Sequence, residues 1–123
     1  MTILEAINRT DAVTHNTFSQ VEKIEWLSRL DSRVKAQIID THEGGDDVVF
    51  SGYDEKTDLD TQLLVPAPYD DVYLRWLESQ INYHNGEMER FNNSNAMYQA
   101  AYDGFANAYN RTHMPKGRKI RYA

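Results

Sequence analysis

Apolar residues recur at intervals of three and four along much of the chain, and two such runs predict most of its architecture. Val21, Ile24, Leu27, Leu30, Val34 and Ile38 form one stripe, preceded by Ser19 and Glu22 and followed by Gly44 and Gly45. A serine with an acid three positions on is a capping box, and paired glycines stop a helix, so this pattern predicts a helix over about 20–41. A second stripe runs Val72, Tyr73, Trp76, Leu77, Ile81, His84, Met88 and Phe91. It predicts a helix beginning at Asp70 or Asp71, where acids meet the positive end of the helix dipole. Gly86 falls inside this pattern, at a cost of about 1 kcal/mol relative to Ala. Asn92, Asn93 and Ser94 are turn formers and place the next break there. A last helix over about 95–112 carries Tyr98, Ala101, Tyr102, Phe105 and Tyr109 on one face. Near the start, Thr2 and Glu5 form another capping box and predict a short helix over about 3–9, with DAVTHNT as a loop.

Residues 46–68 break the helical rhythm. VVF and QLLV are short runs rich in branched residues, separated by the polar, acidic stretch SGYDEKTDLDT. Two short strands or an extended arm both fit this pattern, and Pro66 and Pro68 force an extended approach to the next helix. The fold class expected is mainly α. It is a three-helix bundle with a short N-terminal helix and an irregular or short β-hairpin segment at about 44–68. Residues 1–112 form a single helical domain, and 113–123 form a basic C-terminal tail.

Charge sharpens this division. The net charge is −6, yet residues 1–110 carry all 19 acids, whereas 111–123 carry Arg111, Lys116, Arg118, Lys119 and Arg121 and no acid. An acidic body with a basic tail fits head-to-tail docking or an acidic partner. No run approaches the roughly 18 apolar residues of a membrane span. The N-terminus has early acids and no basic region of the kind that opens a signal peptide.

Chemistry is sparse. With no cysteine, thiol catalysis, disulfides and Cys-based zinc sites are excluded. Asp54, Glu55, Asp58 and Asp60 lack the central Gly and terminal Glu of a calcium loop. His42, Glu43, Asp46 and Asp47 sit at a helix end, where a histidine serves the dipole. His84 falls on an apolar stripe and reads as a core histidine. No nucleophile elbow and no phosphate loop occurs. The expectation is no enzyme, no metal site and no cofactor. Among the eight tyrosines, Tyr53, Tyr69, Tyr83 and Tyr122 lie off the helical stripes. Their neighbours Asp54, Asp70, Asp71 and Glu78 repel phosphate, so these rings point to protein partners and not to single-stranded nucleic acid.

The strings THEGG, FSGYDEKTDLDTQLLVPAPYDD, FNNS and YNRTHMPKG lie within residues 19–122. This stretch resembles small proteins encoded in the structural-gene clusters of tailed phages and prophages of Gram-positive bacteria, similar to head–tail connector (adaptor) proteins. The resemblance implies a helical subunit that docks on the portal in a homo-oligomeric ring, made in the host cytoplasm and carried in the virion. It brings no catalytic residue. The expected partner contacts are Tyr53, Asp54, Leu59 and Leu64 in the loop, and Arg111, Lys116, Arg118, Lys119 and Arg121 in the tail. Alternatives are a nucleic-acid-binding accessory protein, a host-directed regulatory protein and an enzyme.

Overall fold

The computed structural model describes residues 1–116, and within them four helices carry the fold: α1 (Ile3–Val13), α2 (Gln20–Val34), α3 (Val72–His84) and α4 (Met88–Thr112). The expectation of a mainly α protein holds. Thr2 and Glu5 close the full capping box of α1, which continues beyond the expected 3–9 to Val13 and takes up the first residues of the supposed loop. Ser19 caps α2 by accepting from the Glu22 N–H at 3.2 Å. Beyond Val34 the helix widens into a π-helical turn, Lys35–Ile39, where the Asp40 N–H reaches the Lys35 carbonyl at 2.8 Å. The extra residue shifts the phase of the stripe, so Ile38 and Ile39 are both buried.

The break between the last two helices is displaced from its expected place. Gly86 has φ +75°, its N–H donates to the Tyr83 carbonyl at 3.1 Å, and the Glu87 N–H donates to the Asn82 carbonyl at 3.0 Å. This is a Schellman motif, in which a left-handed glycine ends the helix and satisfies its last carbonyls. α3 therefore stops at His84, and Asn92, Asn93 and Ser94 lie inside α4. Ser94 turns inward, donating to the Arg90 carbonyl and accepting from Asn82 Nδ2. Pairing of Asn82 with Ser94 and of Trp76 with Tyr98 shows that α3 and α4 run antiparallel.

One core joins the helices. Ile3 and Ile7 of α1 meet Ile24, Leu27, Leu30 and Val34 of α2, Leu77 and Ile81 of α3, and Tyr98 and Phe105 of α4. Four stripe positions stay outside it: Val21 and Met88 are exposed, Phe91 is half-buried, and His84 is exposed and stacks on Trp26 at 5.3 Å instead of entering the core.

No β-hairpin forms at 44–68. Only isolated bridges occur among the described residues, Thr2 with Gln62 and His42 with Pro115. The segment satisfies its backbone elsewhere. The Thr61 and Leu59 carbonyls accept from Ile3 and Leu4, filling two of the open donors at the start of α1, and the Leu63 N–H donates to Met1. With these groups committed to a helix end, the two apolar runs have no ladder left to share.

Candidate protein-interaction site

The loop is fastened to the helices by one buried carboxylate. Asp31, fully buried on α2, accepts from Tyr73 Oη at 2.6 Å, Tyr53 Oη at 2.5 Å and the Leu64 N–H at 3.1 Å. Tyr73 Oη in turn accepts from the Val65 N–H at 2.7 Å, and Ser28 Oγ accepts from the Tyr53 N–H at 2.9 Å. Burial pushes the Asp31 carboxyl above its ordinary range, against the opposing pull of the hydrogen bonds from Tyr53, Tyr73 and Leu64. The same burial, with the Asp31 charge beside them, holds the Tyr53 and Tyr73 phenols far above theirs. The arrangement is structural: it ties α2, the loop and α3 together.

Beyond Tyr53 the acidic stretch becomes a pair of tight turns. Asp54 Oδ1 accepts from the Lys56 N–H at 2.8 Å, and Asp58 Oδ1 accepts from the Asp60 N–H at 2.9 Å. These aspartates act as turn formers whose outer surfaces remain exposed. The tip rests on the first turns of α2, with Val21 and Glu25 beside Asp54, Glu55 and Lys56.

At the other end of α2 the chain closes on itself. The Glu43 N–H donates to the Met114 carbonyl at 2.7 Å and the Lys116 N–H to the Thr41 carbonyl at 2.9 Å. His42 is buried between these strands of backbone. Its Nδ1 lies 2.5 Å from the Ile38 carbonyl and its Nε2 lies 2.6 Å from Asn110 Oδ1, so its ring is committed to the helix ends. Lys35 bonds Asp40 and the Gly45 carbonyl, and Lys116 pairs with Asp46 at 3.0 Å.

Between this clamp and the start of α3 lies an apolar groove of about 360 Å³. It is lined by Ile39, Val48 and Leu64, by Ala67 and Tyr69 ahead of α3, and by Phe105, Ala108 and Tyr109 of α4. Arg111 and His113 stand at one end. A wider cleft of about 530 Å³ between the C-terminal end of α1 and the α3–α4 turn is polar, with Asn82, Asn85 and Arg90 in its wall. The groove fits a protein segment better, because its apolar lining offers area to bury with few polar groups to desolvate.

The expected contact residues divide accordingly. Leu64 and Arg111 meet at the groove. Asp54 is exposed on the tip, whereas Tyr53 and Leu59 are half-buried and packed against the core. Lys116 is exposed and paired with Asp46. Arg118, Lys119 and Arg121 lie outside the described residues. The groove residues Ile39, Tyr69, Phe105, Ala108 and Tyr109 were not among the expected contacts. The alanines on α4 signalled a close neighbour, but they did not distinguish a helix from a docked segment.

Among the described residues no group of three or more His, Asp or Glu is arranged to hold a metal ion, and no helix is long and apolar enough to cross a membrane. No protein-family model matches the chain, and neither a curated protein nor a solved structure matches it.

Proposed function

We propose that the chain is a virion-assembly protein of a tailed phage or prophage, a head–tail connector subunit that docks on the portal through protein contacts and forms a ring there. The phage-like strings within residues 19–122 supply the setting. The structural observation that carries the mechanism is the separation of charge along α2. The acidic turn at 54–56 borders its first turns, and the basic tail leaves the body at Lys116, beside the far end. The loop is bonded to α2 at Ser28 and Lys116 to Thr41, so at 1.5 Å per residue these features stand roughly 20 Å apart. A subunit with opposite charges at opposite ends favours heterologous, head-to-tail contact, which closes into a ring when the rotation permits. The fixed tip and the groove then present surfaces that need little ordering on binding.

Light scattering coupled to size exclusion tests this reading, on the chain alone and mixed with the portal protein of the same gene cluster. The expected result is a ring or a portal complex. Replacing Arg111, Lys116, Arg118, Lys119 and Arg121 with Ala weakens assembly while leaving the helical content intact. A chain that stays monomeric and ignores portal overturns the connector reading. Affinity for DNA that falls steeply with salt would move the protein to the nucleic-acid class.

A further inference from the structure

The α3–α4 hairpin carries apolar surface at both of its ends. At the turn, Tyr83 and Met88 stand on either side of Gly86 with relative exposures of 52% and 50%. Phe91 packs beside them, half-buried, its ring 5.3 Å from that of Tyr83. Asn85, Gly86 and Glu87 are exposed as well, so this end is uncovered among the described residues. At the far end of α4 lies the groove, with Phe105, Ala108 and Tyr109 in its lining. Met88 and Thr112 are the first and last residues of the 25-residue α4, and Thr112 lines the groove. Roughly 36 Å therefore separate the turn from the groove, and within one chain neither can fill the other. The charges match as well. At the turn Glu87 is paired with Arg90 at 3.1 Å, and Glu89 is left exposed next to Met88. Among the described residues the groove lining carries one fixed charge, the exposed Arg111, while nearby Lys116 is paired with Asp46 at 3.0 Å.

We propose that the groove receives the α3–α4 turn of a second copy of this chain, with Met88 and Tyr83 against Phe105, Ala108 and Tyr109, and Glu89 beside Arg111. The chain itself supplies both halves of the contact: the apolar side chains that the groove can bury and the carboxylate that its cation can take. Methionine adapts to an irregular apolar surface, and a tyrosine ring brings a large area. The contact uses one end of the hairpin on each copy and leaves the other end open. It is therefore heterologous, and it propagates from copy to copy until the rotation closes a ring. Pairing groove to groove would instead set Arg111 against Arg111. The contact is the joint that the head-to-tail reading requires, and the inference rests on that reading.

The absence of cysteine makes the test direct, because an introduced thiol is the only one in the chain. One batch of full chain carries Met88→Cys and a second carries Thr112→Cys, both at exposed positions. Mixed and oxidised, they are expected to give the disulfide-linked heterodimer in several-fold excess over either homodimer. The same excess is expected over the pairing of Val21→Cys with Thr112→Cys, Val21 being as exposed as Met88 at 49%. Glu89→Arg in the first batch removes the excess, as does Arg111→Glu in the second, and the two reversals together restore it. Helical circular dichroism unchanged in each variant shows that the fold is intact. Equal yields for the Met88 and Val21 pairings overturn the proposal, and so does an excess that the charge reversals leave untouched. A dominant Thr112→Cys homodimer overturns it by assigning the groove to a groove-to-groove contact. Light scattering with portal keeps the two readings apart. A ring that forms without the cross-link removes this joint and leaves the connector reading standing, whereas a cross-link in a chain that ignores portal keeps the joint and removes the connector role.

Discussion

Leu64 belongs to two unlike regions at once. Its backbone N–H is held by Asp31 in the buried polar centre, while its side chain lines the apolar groove. In the polar centre each donor finds an acceptor within the chain, and the tyrosines reach it from the loop and from α3. The groove instead leaves part of the apolar surface of Val48, Leu64, Tyr69 and Tyr109 open to solvent, beside Ile39 and Phe105, which are already buried. The contrast separates specification from recognition. A buried carboxylate with matched donors holds the loop in one arrangement, since any other leaves the charge unpaired. An open apolar groove accepts what fits it.

The largest expected effect breaks the first region. Asp31→Ala strands Tyr53 Oη, Tyr73 Oη and the Leu64 N–H at once. Unsatisfied buried donors cost about 1–3 kcal/mol each, so a loss of about 3–5 kcal/mol is expected in urea unfolding followed by tryptophan fluorescence. Tyr53→Phe, which removes one donor and leaves the acceptor two others, should cost about 1 kcal/mol. A loss below about 1 kcal/mol for Asp31→Ala would show that the loop is held by its apolar contacts instead.

The groove side responds differently at its base and at its rim. A Cβ at Gly45 would sit 2.0 Å from the Ile39 carbonyl oxygen, a backbone atom that cannot swing aside. Gly45→Ala should therefore destabilise by about 1–3 kcal/mol, the usual cost of overpacking, and disturb Ile39 in the groove wall. Ala67, exposed on the groove's edge, is the opposite case. Ala67→Glu should change stability by no more than about 0.5 kcal/mol while displacing whatever docks there. If both variants unfold alike, base and rim form one structural unit and the groove is not a free surface.

Those differences also explain what the sequence conveyed. The stripes on α2, α3 and α4 and the caps Thr2 and Ser19 were legible because helix period and capping are local properties. The end of α3 was misplaced because the apolar spacing continues through Met88 and Phe91 by coincidence, although the Asn85–Gly86 pair is itself a turn signal. The Asp31 centre was invisible because it joins residues 22 to 42 positions apart, and an aspartate inside an amphipathic helix reads as part of its solvated face. The loop lacked any signal that its backbone would be satisfied by α1 and by a side chain. Of the candidate contacts, Leu64 and Arg111 converge on one surface, while the hydrogen bond of Tyr53 shows it fastening the loop.

Alkaline pH tests the polar centre without mutation. Burial raises the phenols of Tyr53, Tyr73 and Tyr98 above the ordinary value of 10.0 and pushes Tyr102 up to about 12. The native state thus binds these protons more tightly than the unfolded chain does. Their contribution to stability is complete below pH 10 and is lost as pH rises through the higher native values. Tyrosinate absorbance from these rings should rise together with loss of helical circular dichroism. If it rises while the helices remain intact, the rings reach solvent without unfolding and the centre is looser than its geometry implies.

The smallest effect lies at the start of α1, whose capping box holds the end that the loop carbonyls also serve. The Thr2 N–H donates to Glu5 Oε1 at 3.3 Å, and the Glu5 N–H donates to Thr2 Oγ1 at 3.1 Å. Hydrogen bonding from Thr2, by its backbone N–H first and its side chain second, holds the exposed Glu5 carboxyl below its ordinary value of 4.5. A lowered native value means that ionised Glu5 favours the fold above the unfolded value, and the gain disappears as pH falls through the native one. The difference in Tm between the natural chain and Glu5→Ala should therefore be present near neutrality and shrink in acid. In a Thr2→Ala background the shrinkage should be reduced, because the side-chain half of the box is gone while the backbone donor remains. A gap that stays constant with pH would assign the role of Glu5 to helix propensity, and would leave the loop carbonyls of Leu59 and Thr61 as the groups that anchor this end.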